Sequence, residues 1–262
     1  MKLKGKMGKY RGKYNFIALC GRGLGRGGKK AAFTIAEVLI TIGIIGVVAA
    51  ISLPTLLTNV QEKVTVHKLE TVYSKLNSAF KMMIEEDGEF TNNRSASQRE
   101  LDIYDNLPKF LKVANKCYGA PCSIYVSGAK TKYLDGSPYG GGGYISYHNF
   151  ILPDSTWVAV LGIGQCNNDV DFHNPAGRGS YDGLCARIFV DLNGKKGPNK
   201  FGVDTFIFHL MTNGLIPIGG KKEIIWMNQY SQNCPIKSGH SGGYACTAWV
   251  LQNKNMNYLH QK

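Results

Sequence analysis

From Val38 to Gln61 the chain runs for 24 residues without a charged side chain. As a helix rising about 1.5 Å per residue, this segment spans roughly 36 Å, enough to cross a hydrocarbon core of about 30 Å. Core helices of soluble domains are seldom apolar on every face over such a length, so a membrane-crossing helix is the reading the run imposes. Ahead of it, residues 1–32 hold ten Lys and Arg and no Asp or Glu. Lys29 and Lys30 stand just before the apolar run. By the positive-inside rule they keep the leader cytoplasmic and send the later residues across the bilayer.

The leader also explains the charge. The 262 residues carry 31 Lys and Arg against 18 Asp and Glu, a net +13. Without the ten leader residues, 21 basic side chains face 18 acidic ones, so the body carries only +3. Composition therefore gives no support to a nucleic-acid-binding body. The cysteines divide at the same place: Cys20 lies in the leader, and Cys117, Cys122, Cys166, Cys185, Cys234 and Cys246 lie beyond it. An even set in an exported body fits a disulfide framework, and neither a C-x-x-C pair nor a His-x3–5-His spacing suggests zinc. The apolar run is not an ordinary secretory signal, being too long for an h-region and lacking an A-x-A site.

One carboxylate, Glu37, stands at the entrance to the run, where burying a charge in lipid costs at least a few kcal/mol. The surrounding stretch, Lys29-Lys30-Ala31-Ala32-Phe33-Thr34-Ile35-Ala36-Glu37-Val38-Leu39-Ile40-Thr41, resembles the prepilin-type cleavage and methylation signature of type IV pilins and type II secretion pseudopilins. The resemblance implies that a membrane peptidase removes residues 1–32 by cutting between Ala32 and Phe33. Phe33 would then be N-methylated, and Glu37 would be the fifth residue of the processed bacterial protein. Ala32 stands where the family usually has Gly, and Pro54 stands where pilins often carry a helix-kinking proline. Met7 is a second candidate start beside Met1. The resemblance also gives Glu37 a role in assembly: its carboxylate would face the Phe33 ammonium of a neighbouring subunit, a pair far less costly in an apolar core than either charge alone. Gly43, Gly46, Ala49 and Ala50 supply the small surfaces that let such helices approach.

Two motifs point elsewhere and fail on context. Gly23-Leu24-Gly25-Arg26-Gly27-Gly28 matches G-x-G-x-x-G, but the helix after it is apolar all round rather than an amphipathic crossover. Gly239-His240-Ser241-Gly242-Gly243 matches the nucleophile elbow G-x-S-x-G, yet no Asp or Glu comes after Ser241 and the motif sits in a Gly-rich stretch between Cys234 and Cys246. That stretch reads as a disulfide-bounded surface loop.

Beyond the membrane segment, Leu57, Val60, Val64, Leu69, Val72, Leu76, Phe80 and Met83 recur at helical spacing among charged residues. One long helix from about residue 34 to 86, bent near Pro54, is the expectation. Residues 91–100 read as polar linker and residues 101–114 as a short helix. Strands are expected at 143–152, 156–163, 186–191, 203–211 and 223–227. The fold class is α+β: a long N-terminal helix, transmembrane then amphipathic, packed on a mainly antiparallel sheet in the pilin-like manner. Its parts are the leader (1–32), the transmembrane and assembly helix (33–61) and an exported globular domain (62–262).

The segment from Val190 to Phe206 contains D-x-N-G-x-x-G-P-N-x-x-G-x-D-x-F, which is similar to a stretch of pilin-like secretion proteins. Asp191, Asn193 and Asp204 offer oxygen ligands to calcium, although an EF-hand pattern breaks where Lys195 and Gly202 stand. An Asn-Gly hairpin turn explains the same residues without a metal. Six cysteines allow 15 pairings; proximity favours Cys117–Cys122, Cys166–Cys185 and Cys234–Cys246, because short loops close at low entropic cost. Free thiols or crossed pairs remain open.

The function these features imply is non-enzymatic: a minor pilin or pseudopilin of a type IV pilus or type II secretion filament. It would sit in the bacterial inner membrane with a cytoplasmic N-terminus and a periplasmic or extracellular C-terminal domain. Its partners would be the prepilin peptidase, other subunits, the inner-membrane assembly platform and lipid, with no required cofactor. The alternatives are a membrane-anchored exported hydrolase, supported only by Ser241 and by His148, His173, His209 and His240, and a pilus-tip subunit that binds a ligand or DNA.

Overall fold

The computed structural model describes residues 33–86, 94–118, 131–139, 148–163, 166, 184–194, 196–220, 234 and 242–260. It divides into two compact units, Met1–Ile51 and Ser52–Lys262.

Helix α1 (Ile35–Glu86) begins in the first unit. Thr34 is its N-cap, since Val38 N–H donates to the Thr34 carbonyl at 3.2 Å. Glu37 N–H donates to Thr34 Oγ1 at 3.2 Å, and Thr34 N–H donates to Glu37 Oε2 at 2.8 Å. This reciprocal pair is a capping box, which satisfies two otherwise orphaned donors at the helix start. The large apolar side chains of the segment are all exposed, from Phe33 at 82% to Val38 at 48%. α1 is long and apolar enough to cross a membrane.

In the second unit α1 becomes amphipathic. Val66, Leu69, Val72, Leu76, Ala79, Phe80 and Met83 are buried at steps of three and four residues, which places them on one stripe. They meet a six-stranded antiparallel sheet whose strands lie side by side in chain order: β1 (Asn115–Tyr118), β2 (His148–Ile151), β3 (Trp157–Gly162), β4 (Leu184–Asp191), β5 (Thr205–Met211) and β6 (Gly214–Pro217). Val158, Val160, Ile188, Val190, Phe206, Phe208 and Leu210 share the core with the helix stripe. Tyr73 stacks on Phe208 with ring centroids 5.5 Å apart, and Asn77 Oδ1 accepts from Leu215 N–H at 2.9 Å, which pins α1 to β5 and β6.

The alternate residues Ala159, Leu161, Phe189 and Ile207 form a second core on the other face with Phe201, Ile218, Tyr244 and Ala245. The sheet is therefore buried on both faces, and its central strands read as continuous apolar runs rather than alternating ones.

α2 spans Ala96–Asn106, so it starts inside the stretch that reads as polar linker and ends before Ala114. A capping box explains the start: Ser95 accepts from Gln98 N–H, and the Gln98 side chain accepts from Ser95 N–H. Leu107–Lys109 continues as a 3-10 turn around Pro108, which cannot donate into an α-helix. The long N-terminal helix and the strands β3, β4 and β5 lie where the periodicity placed them. β1, β6 and the helix α3 (Cys246–Asn253) carry no such signal. The expected strand 223–227 lies outside the described residues.

Candidate functional site

The first group of interest is the start of α1. Ala32 lies outside the described residues, and Phe33 is exposed one residue ahead of the N-cap. Glu37 thus has a local task that periodicity and charge do not announce, although Thr34-Ile35-Ala36-Glu37 is itself a capping-box pattern. Gly43 and Gly46 meet nothing: a Cβ built at either has no heavy atom within 4 Å. Nothing among the described residues requires glycine there. Pro54 lies within the helix, and Thr58 Oγ1 donates to the Pro54 carbonyl at 3.0 Å.

The second group is the connection from β4 to β5. It is much longer than the two-residue turn an Asn-Gly hairpin would give, and it closes on its own carboxylates. Asp204 Oδ1 accepts from Lys200 N–H at 2.7 Å. Asp204 Oδ2 accepts from Asn199 N–H at 2.9 Å and from Asn193 Nδ2 at 3.1 Å. Asp191 Oδ1 accepts from Asn193 N–H at 3.1 Å. Gly194 takes a positive φ of 66°, and a Cβ there would lie 2.9 Å from Trp157 Cδ1, so the indole closes over the turn and only glycine fits. The structure thus brings Asp191, Asn193 and Asp204 together, as the sequence suggested.

Both carboxylates are buried, Asp191 at 1% exposure and Asp204 at 5%. Burial pushes Asp191 up to about 8, and the nearby Asp204 charge adds to the rise; hydrogen bonds from Asn193 and Gly194 and the charge of Lys68 oppose it. Burial also raises Asp204, against the N–H donors of Lys200 and Asn199 and the Asn193 side chain. Two buried acids this close do not both ionise unaided. Among the described residues, the buried side-chain oxygens Asn193 Oδ1, Asn199 Oδ1 and Thr205 Oγ1 have no hydrogen-bond partner.

The cysteines obey the proximity rule where they are described. Cys166–Cys185 and Cys234–Cys246 are disulfides, with Cα atoms 4.3 and 4.7 Å apart. Cys117 is also disulfide-bonded, and Cys122 lies outside the described residues. Residues 239–241 of the expected surface loop lie outside the described residues, and the second disulfide ends at Cys246. Cys246 is fully buried and opens α3, which Thr247 ties to β5 through Ile207 N–H at 3.0 Å.

Of the histidines weighed as catalytic candidates, His148 Nδ1 lies 2.7 Å from Glu100 Oε1 and His209 Nε2 lies 3.4 Å from Arg187 Nε. His173, His240 and Ser241 lie outside the described residues. A residue without any sequence signal is Arg99. It is 1% exposed and donates to the carbonyls of Arg94, Cys185 and Ile163, locking α2 to β4 and the end of β3. The same crossing explains Gly162, where a Cβ would lie 2.0 Å from the Ala96 carbonyl oxygen.

Comparison with known protein families, with curated proteins and with solved structures finds no match to this chain.

Proposed function

We propose that the chain is a pilin-like structural subunit, a minor pilin or pseudopilin of a type IV pilus or type II secretion filament. The observation that carries the reading is a helix that is amphipathic and buried in its second half yet apolar and uncovered in its first. An apolar surface of this extent needs lipid or other helices around it. Lipid covers it before assembly, with the leader cytoplasmic and residues 62–262 exported. Neighbouring copies of the same segment cover it in the filament, where Gly43 and Gly46 permit close approach. The Lys29–Thr41 signature supplies the route: cleavage after Ala32 by a prepilin peptidase, methylation of Phe33, and delivery from the inner-membrane platform.

Glu37 then has two tasks, capping its own helix and pairing with the Phe33 amine of another subunit. Substitutions separate them. Glu37→Gln keeps the capping geometry, since Gln serves at that position as well as Glu, but removes the charge. Glu37→Ala removes both. Both variants are expected to enter the membrane and to be depleted from sheared surface or periplasmic fibres. A Glu37→Gln subunit recovered in fibres at the wild-type level would reduce Glu37 to a cap and overturn the pairing.

A further inference from the structure

The second unit has an open groove of about 630 Å³ where α1, the connection from α2 to β1 and the β2–β3 turn meet. Its apolar base is made by Met82, Phe110, Leu111, Leu152 and Pro153. Met82 is 44% exposed there, a large apolar side chain that its own chain leaves uncovered. Three charged residues, Lys75, Lys112 and Asp154, stand around that base. Asp154 is already matched, with its carboxylate 3.9 Å from Lys68 Nζ. Lys75 and Lys112 are exposed and form no ion pair among the described residues. The groove is thus apolar within and positive at its rim. An interface of this kind has an apolar centre and a polar edge, and it selects a partner of opposite charge.

The chain carries a segment of the complementary kind. Glu85-Glu86-Asp87-Gly88-Glu89-Phe90 places four acidic residues within five positions ahead of a phenylalanine, and residues 82–93 contain no Lys or Arg. Glu85 and Glu86 are exposed at the end of α1 and form no ion pair among the described residues. Within one chain they do not serve the groove. At about 1.5 Å per residue, α1 holds Glu85 roughly 15 Å along its axis from Lys75. A second copy is under no such restraint.

We propose that a second copy of this chain enters the groove with residues 85–90, its carboxylates meeting Lys75 and Lys112 and its Phe90 covering the apolar base. Groove and segment are different patches of one chain, so the contact is head-to-tail. Such a contact repeats into an open helical array when its rotation does not close a ring. It rests on the filament reading and names one subunit interface within it.

The test mixes light and heavy-isotope full chain in detergent, joins carboxylates to amines with a zero-length carbodiimide, and maps the linked peptides by mass spectrometry. The expected links are of mixed isotope and join residues 85–89 to Lys75 or Lys112. Links of single isotope only would put the segment on its own groove, and no link between these residues would remove the contact; either result overturns the proposal. Energy transfer between donor- and acceptor-labelled copies then reads association itself. Lys75→Glu with Lys112→Glu reverses the groove, and Glu85→Lys, Glu86→Lys, Asp87→Lys and Glu89→Lys together reverse the segment. Each variant alone should associate roughly tenfold or more weakly than wild type, because like charges then face each other. High salt should weaken the wild-type contact as well. Mixing the two variants should restore association, since the groove of one then suits the segment of the other. Undiminished association in either variant, or a mixture no better than its components, would overturn the contact. Neither measurement depends on processing at Phe33, so an intact leader would sink the filament reading alone.

Discussion

At the residue scale, a few side chains stand where local chemistry and function make separate demands. Asp191 gives a pH signature of its own. Its folded value near 8 lies far above the ordinary aspartate value of the unfolded chain. The folded state therefore holds a proton that the unfolded state has lost between about pH 4 and pH 8. Its stabilising contribution is complete below pH 4, declines as pH rises through that window, and is gone above 8. Asp204 and Lys68 act on the same carboxyl, the first raising and the second lowering its value. The thermal midpoint should fall from pH 5 to pH 8. Asp191→Asn, which removes the titration, should show a flatter profile. A wild-type protein as stable at pH 8 as at pH 5, relative to that variant, would contradict the burial of this acid.

At the scale of single elements, capping decides boundaries that periodicity leaves loose. Ser95→Ala removes the side-chain half of the α2 capping box and should cost about 0.5–2 kcal/mol in chemical denaturation. A loss below about 0.3 kcal/mol would mean that Arg99 and Glu100, not the cap, position the helix. α1, β3, β4 and β5 are legible in the sequence because each carries a long periodic or apolar signal of its own. α2 starts earlier than its apolar residues suggest because Ser95 and Gln98 sit in a polar stretch, where a cap is easily read as linker. β1 (Asn115–Tyr118) and β6 (Gly214–Pro217) are four residues each and owe their pairing to the neighbouring strand, so nothing local announces them. α3 begins at Cys246 without a side-chain cap, held by the Cys234 disulfide and by Thr247 on β5. The carboxylates of the β4–β5 connection can be read from spacing alone. The burial of Thr205 directly opposite Asp191 cannot, because it depends on the strand register.

At the scale of the whole molecule, one chain presents two kinds of surface. Residues 33–61 offer an apolar surface, and the remainder builds a sheet buried on both faces with disulfides at its margins. Each loop, with its cysteines 19 and 12 residues apart, is worth roughly 2–4 kcal/mol in the chain-entropy picture. Non-reducing peptide mapping should recover Cys166–Cys185 and Cys234–Cys246, and reduction should lower the thermal midpoint. Crossed peptides would contradict both pairings. The central claim concerns the other end of the chain, where the basic leader meets Phe33. Expressing the full chain in a bacterium with and without a prepilin peptidase, then reading its N-terminus by mass spectrometry, tests that claim most directly. The expected product is a chain beginning at N-methylated Phe33 only when the peptidase is present; an intact leader under both conditions would contradict it.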